Sequence, residues 1–280
     1  SAPTNLVATA NSTTSAALSW TAAAAAINYN IEYGPSGFSQ GSGTTINNVT
    51  SPYNLGGLAA STTYEFYVQT NCFGQSSSWA GPSSFTTLCS TLAAPLSEDF
   101  GNGSLPTCWT QTTTSGSGWE FPGTPGWGVH NVLDNTTGSG NNFACIDFSS
   151  TDVGTIIQMP DVDISALSDP YLEFYMYSNN TNSSTLNDLF IEYWDGAIWG
   201  QLAYLSEDNG GWTVYRYDLA TFGYNSNTVR LRFRAESSGA TDDYFNDILL
   251  DDISIINDPC LALRNNSPET TSAYLCQGES

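Results

Sequence analysis

The chain has no Lys, one His (His130), two Met and only five Arg, at positions 216, 230, 232, 234 and 264. Each scarcity removes a class of function. Phosphate backbones are held by clustered Lys and Arg, so nucleic acid is excluded as a partner, and anionic membrane surfaces are disfavoured for the same reason. No apolar run approaches the roughly 18 to 20 residues of a membrane-crossing helix, so membrane insertion is not expected. Without Lys there is no Schiff-base chemistry, no Ser–Lys dyad and no Lys–Asn isopeptide crosslink. A single His cannot build HExxH, and no GxSxG elbow surrounds a Ser that His130 could serve. Paired carboxylates for glycoside hydrolysis remain conceivable in so acidic a chain, but no acid is singled out by its setting. The expectation is a protein that is not an enzyme.

What is present is acid and aromatic. The 280 residues hold 27 Asp and Glu, for a net charge of −22, together with 8 Trp, 15 Tyr and 13 Phe. That aromatic content is core material and argues against disorder. The charge is uneven: residues 1–89 hold only Glu32 and Glu65, whereas residues 90–257 hold 22 acids against four Arg. This break, and Pro95 beside it, divides the chain into 1–89, 90–257 and a tail, 258–280. Six Cys, at 72, 89, 108, 145, 260 and 276, lack CxxC spacing and His partners, so disulfides are expected rather than zinc. Among the fifteen connectivities, nearest-neighbour pairing is the expectation: Cys72–Cys89, Cys108–Cys145 and Cys260–Cys276. Disulfides place the protein outside a reducing cytosol, secreted or at a cell surface.

In residues 1–89, Ala17–Trp20, Ile27–Tyr33 and Tyr64–Val68 alternate in the period of half-buried strands. Turn residues recur every 8 to 12 positions, about the spacing of a β-sandwich. Pro3, Trp20, Tyr29-x-Ile31-x-Tyr33, Leu58-x5-Tyr64-x-Phe66-x-Val68 and Pro82-x-x-Phe85-Thr86-Thr87 resemble the fibronectin type III family. The resemblance implies an Ig-like sandwich with Tyr64 as its tyrosine corner and Trp20 in its core. No RGD is present, so integrin-type recognition has no support, and spacing or presentation is the implied role.

Residues 90–257 read as strands and long polar loops. Candidate strands cover Asn142–Phe148, Thr155–Met159, Tyr171–Tyr177, Leu189–Trp194, Trp212–Leu219, Thr228–Ala235 and Ile248–Ile256, with a tight hairpin at Asp195-Gly196. About ten strands suggest an antiparallel jelly-roll β-sandwich. Asp99-Phe100, Cys108-Trp109, Trp119, the run Asp134–Asn141, Leu172–Met176, Gly211-Trp212, Val229–Phe233 and Asp251-Asp252-Ile253 follow one another in an order that resembles a MAM domain, an extracellular adhesion jelly roll. Two departures stand out: Gly101 occupies a position that usually carries an acid, and two Cys replace the four common in animal versions. The tandem resembles secreted multidomain proteins of Bacteroidetes-like bacteria.

Three acidic groups could carry chemistry: Glu98-Asp99, Asp134 with its Gly-rich loop, and Asp242-Asp243…Asp247…Asp251-Asp252, of which Asp242 and Asp243 read as a plain exposed loop. Asp251 shares a strand parity with Ile253 and Ile255, so it is expected to be buried and to need a partner. A Ca²⁺ ion takes six to eight oxygens and would meet that need between Asp99, Asp134 and Asp251, with Glu98 and Asp252 as reserves. The resemblance implies a structural calcium at the same place. The other reading is a solvated acidic face. The aromatic, Pro/Gly-rich loop 119–131 offers Trp127 and His130 as candidate glycan contacts, although a loop Trp folded onto its own domain is the commoner case. Trp194, Trp199 and Trp212 lie on strand patterns and read as core.

Residues 258–280 cannot build a core and read as a linker or the opening of a further module. The combined expectation is a non-catalytic extracellular adhesion or accessory binding region of a longer chain, with a surface glycan or an extracellular protein as partner. Two alternatives stay open: a carbohydrate-binding region targeting an attached hydrolase, and a passive spacer of a stalk or fibre.

Overall fold

The computed structural model describes residues 1–24, 26–123, 132–136, 142–149, 152–180, 184–223 and 227–258. The protein is essentially all-β, and it divides into two compact units, Ser1–Ser90 and Thr91–Ser280. None of the described helices is long and apolar enough to cross a membrane.

The first unit consists of β1 (Thr4–Ala10), β2 (Ser15–Thr21), β3 (Asn28–Pro35), β4 (Thr44–Val49), β5 (Tyr53–Gly56), β6 (Thr63–Cys72), β7 (Gln75–Ser76) and β8 (Ala80–Thr86). One sheet has the order β1-β2-β5; the other runs β4-β3-β6-β7, with β8 also paired to β6. The alternation seen in sequence is the burial pattern. Ala16, Leu18 and Trp20 on β2 meet Tyr29 and Ile31 on β3 and Tyr64, Phe66 and Val68 on β6 in one core. Each such large side chain contributes about 1.5–3 kcal/mol by leaving water. The Tyr64 hydroxyl accepts the Ala59 backbone N–H at 3.0 Å, which is the tyrosine-corner bond. This is the Ig-like sandwich that was expected.

The second unit consists of β9 (Leu92–Ala93), β10 (Leu96–Glu98), β11 (Thr110–Thr112), β12 (Ala144–Ile146), β13 (Thr155–Gln158), β14 (Val162–Asp163), β15 (Pro170–Ser178), β16 (Asp188–Trp194), β17 (Trp199–Leu205), β18 (Thr213–Asp218), β19 (Thr228–Val229), β20 (Leu231–Glu236) and β21 (Ile248–Asn257). Two five-stranded sheets face each other. The first has the order β10-β21-β15-β18 with β12 also on β21; the second has the order β11-β13-β20-β16-β17. A small third sheet, β19-β14-β9, includes the parallel pair β14/β9. Leu172, Phe174 and Met176 from the first sheet and Ile191, Leu231 and Phe233 from the second fill the space between them. Asp195 closes the β16–β17 hairpin, its carboxylate accepting the N–H groups of Ala197 and Ile198, each at 2.8 Å.

Two of the expected disulfides are corrected. Cys89 is bonded to Cys108, so neither Cys72–Cys89 nor Cys108–Cys145 forms. Cys72 ends β6, while the segment leading to Cys89 leaves β8 beside Thr63 at the start of β6. Ten strand residues separate those ends by about 30 Å, far beyond the roughly 7 Å limit between disulfide Cα atoms. Cys145 is a free thiol buried in β12, opposite Leu249. Burial and the surrounding carboxylates push its pKa well up, which keeps it protonated and unreactive. Cys260 and Cys276 lie outside the described residues.

Candidate functional site

The site begins with an irregularity in β21. Opposed residues of an antiparallel ladder share a face. Leu172 pairs with Ile255 and Met176 with Leu250, all facing the main core. Between them the register slips, and Asp252 takes a left-handed φ of 49°. This is a β-bulge, which inserts one residue and reverses the alternation. Ile248, Leu250, Ile253 and Ile255 therefore all reach the core, while Asp251 pairs with Tyr175 on the outer face, in line with Leu249 and Tyr177. Asp251 is fully buried, as expected, but not on the face of Ile253. It is covered from outside.

The cover is formed by the segments around residues 119–123 and 132–136. Glu120 bridges to Cys145, and Gly123 donates to the Phe143 carbonyl at 2.9 Å. A Cβ on Gly123 would meet the Cys145 Cβ at 2.4 Å and the Phe143 ring at 2.6 Å, so only glycine permits this approach. Phe143, Cys145 and Leu249 form a second small core, flanked by Val132, Tyr177 and Trp212. The Trp212 indole N–H donates to the Leu133 carbonyl at 2.8 Å, pinning the chain as it enters Asp134.

Asp134, Asp251 and Asp252 meet beneath this cover. The Asn135 backbone N–H donates to Asp251 at 3.2 Å, and its side-chain amide donates to Asp252 at 2.7 Å. The Thr136 hydroxyl also donates to Asp252. Asp134 accepts the N–H groups of Thr136 at 2.9 Å and Asn142 at 3.0 Å. Burial pushes the Asp251 pKa up to about 8, reinforced by its hydrogen bond with Asp134 and by the negative charge of Asp252. The described Arg residues all pair with other acids. Asp251 thus holds a proton at neutral pH where a cation would otherwise neutralise it.

Asp99 is exposed and accepts the Gly101 N–H at 2.9 Å, while Glu98 accepts that of Phe100 at 2.8 Å. Partial burial raises the Glu98 pKa. These acids are tied to the cluster indirectly, because the Asn142 side chain donates to the Gly101 carbonyl at 2.9 Å and its backbone to Asp134. Among the described residues no group of three or more acid, His or Cys side chains stands ready to hold a metal. The donor chemistry still fits a hard cation: one buried and two half-buried carboxylates, amide and carbonyl oxygens, and, among the described residues, no basic residue paired with them. Asn135, Thr136 and Asn142, which the sequence did not single out as site residues, knit the cluster together. Their signal was their adjacency to Asp134 and the Gly-rich run. Trp127 and His130 lie outside the described residues. Asp242 and Asp243 stand apart from this cluster: Asp242 accepts from Ser184 at 3.0 Å and Asp243 accepts from Ser237.

Trp194 and Trp199, expected in the core, are half-buried on the outer face of the second sheet; Trp212 is likewise half-buried, on the outer face of the first. The ladders align Gln158, Arg232, Glu192 and Gln201 in one row across that second sheet. Ile156, Arg234, Phe190 and Tyr204 form the next, and Trp194 faces Trp199 beyond them. The Arg-x-Arg-x-Arg alternation of residues 230–234 announced a polar outer face for β20. It could equally have assigned the neighbouring Trp residues outward.

Among known proteins, the second unit is similar to the K3 cleaved adhesin domain of Lys-gingipain from Porphyromonas gingivalis W83 and to TmCBM61, solved in complex with β-1,4-galactotriose. The identities are 18% and 8%, each over 57% of this chain and over 98% and 94% of those chains, with a TM-score of 0.41 for both. The FN5 domain of Drosophila Lar is 22% identical over 31% of this chain and 94% of its own, with a TM-score of 0.27. No curated protein matches the chain. Residues 1–86 match the fibronectin type III domain family.

Proposed function

We propose that this chain is a non-catalytic adhesion or accessory binding region of a larger secreted or cell-surface protein, in which a fibronectin type III module precedes a MAM-like jelly roll stabilised by calcium. The match of residues 1–86 to a non-catalytic module type supports the binding reading, and the Cys89–Cys108 disulfide supports an oxidising, extracellular setting. A surface glycan or an extracellular protein is the partner.

The observation that carries the calcium reading is the burial of Asp251 against Asp134 and Asp252 with no basic partner among the described residues. An uncompensated buried carboxylate is costly, and a divalent cation removes both the cost and the mutual repulsion. Asp134 and Asp251 would hold it, Asp99 would approach from the end of β10, and Glu98 and Asp252 stand in reserve. The ion's role is to join the end of β10, the residues around Asp134 and β21. Calorimetry with calcium and with EDTA tests this: the unfolding midpoint rises with calcium, and Asp251→Asn abolishes the rise. An equal midpoint in both buffers excludes the site.

A further inference from the structure

The outer face of the β11-β13-β20-β16-β17 sheet is assembled more firmly than a solvated surface requires. The Arg232 guanidinium lies over the Trp199 ring, 4.1 Å from its centroid, and that of Arg234 over Phe190, at 4.0 Å. Both Nε–H groups donate to one carboxylate, Glu192, at 2.6 and 3.1 Å. The side chains of Arg232, Arg234 and Glu192 are only 18%, 22% and 11% exposed. An isolated surface ion pair contributes about 0–1 kcal/mol; here Arg232, Arg234, Glu192 and Glu236 form a network that fixes both guanidinium groups over aromatic rings. The clamp leaves something to offer: among the described residues, neither terminal nitrogen of Arg232 makes a hydrogen bond. Its N–H fork is thus held in place and unspent, beside a half-buried Trp199 and a Tyr204 that is 49% exposed.

We infer that this face binds a neutral polysaccharide. Sugar rings present C–H faces that pack on aromatic planes, and their hydroxyls accept from guanidinium N–H groups. Donors and planes already fixed before binding lose little entropy when the chain docks. Charge selects the class: Arg230, Arg232 and Arg234 are balanced by Asp161, Glu192 and Glu236, within a chain of net charge −22. A polyanion finds no excess positive charge here. The inference rests on the binding-region reading above and places its ligand on a sheet face rather than on the loop that carries Trp127.

Affinity electrophoresis of the whole chain tests it, in gels containing mixed-linkage β-glucan, galactan, galactomannan or xylan, with polygalacturonate and dextran sulfate as anionic controls. At least one neutral polymer retards the protein. Trp199→Ala and Arg232→Lys each weaken that retardation at least tenfold, and Trp127→Ala leaves it unchanged. If Trp199→Ala lowers the unfolding midpoint, Tyr204→Ala and Arg232→Lys carry the test. Retardation by none of the neutral polymers, retardation by the polyanions alone, or retardation that depends on Trp127 and survives the sheet-face variants overturns the inference. The calcium response of the unfolding midpoint is read separately, so failure here leaves that reading standing.

Discussion

Asp251 is held by neighbours of its own charge. A carboxyl whose pKa is higher in the folded than in the unfolded state binds more protons when folded, here between the ordinary value of 3.8 and about 8. The stability of the calcium-free protein therefore falls as pH rises through that window and levels off above it. Asp251→Asn removes the titrating group, so in EDTA its unfolding midpoint changes less between pH 4 and pH 8 than that of the parent. Parallel slopes for the two proteins would place the titrating group elsewhere. The expectation that Asp251 is buried came from strand alternation alone. Its actual surroundings were not legible, because a bulge of one residue at Asp252 exchanges the faces of everything before it.

Among the elements, strands were more readable than their connections. Tyr171–Tyr177, Leu189–Trp194 and Ile248–Ile256 were visible as apolar alternation and are found as β15, β16 and β21, longer by one or two residues. A strand's period is local and so is written in the sequence. Cysteine pairing is not local. The Cys89–Cys108 bond closes a loop of about twenty residues that contains β9 and β10, a constraint on the unfolded chain of roughly 3 kcal/mol in the loop-entropy account. Cys108→Ser is expected to lower the unfolding free energy by about that amount in urea titration. Cys145→Ser, which changes a free buried thiol, leaves that disulfide in place, so reductant should lower its unfolding free energy by as much as it lowers that of the parent in the same assay. An effect of reductant on the Cys108→Ser variant would point to a second disulfide.

Across the whole molecule, the scarcity of cations dominates. The net charge of −22 opposes compaction, and the described Arg residues are already committed to Glu173, Asp161, Glu192 and Glu236. Raising NaCl from 0.1 to 1 M shortens the screening length from about 10 Å to about 3 Å. The unfolding midpoint in EDTA is expected to rise over that range, and a flat profile would show that self-repulsion costs the fold little.

By itself the sequence determined the all-β class and the absence of Lys chemistry, because composition and period-two patterning are properties of the chain alone. Only the tertiary structure decided which face Asp251 occupies, which cysteines meet, and that Trp199 stacks under Arg232 outside the core. Each of those depends on ladder register. A bulge of one residue, or pairing with one strand rather than another, sets register through contacts far apart in sequence.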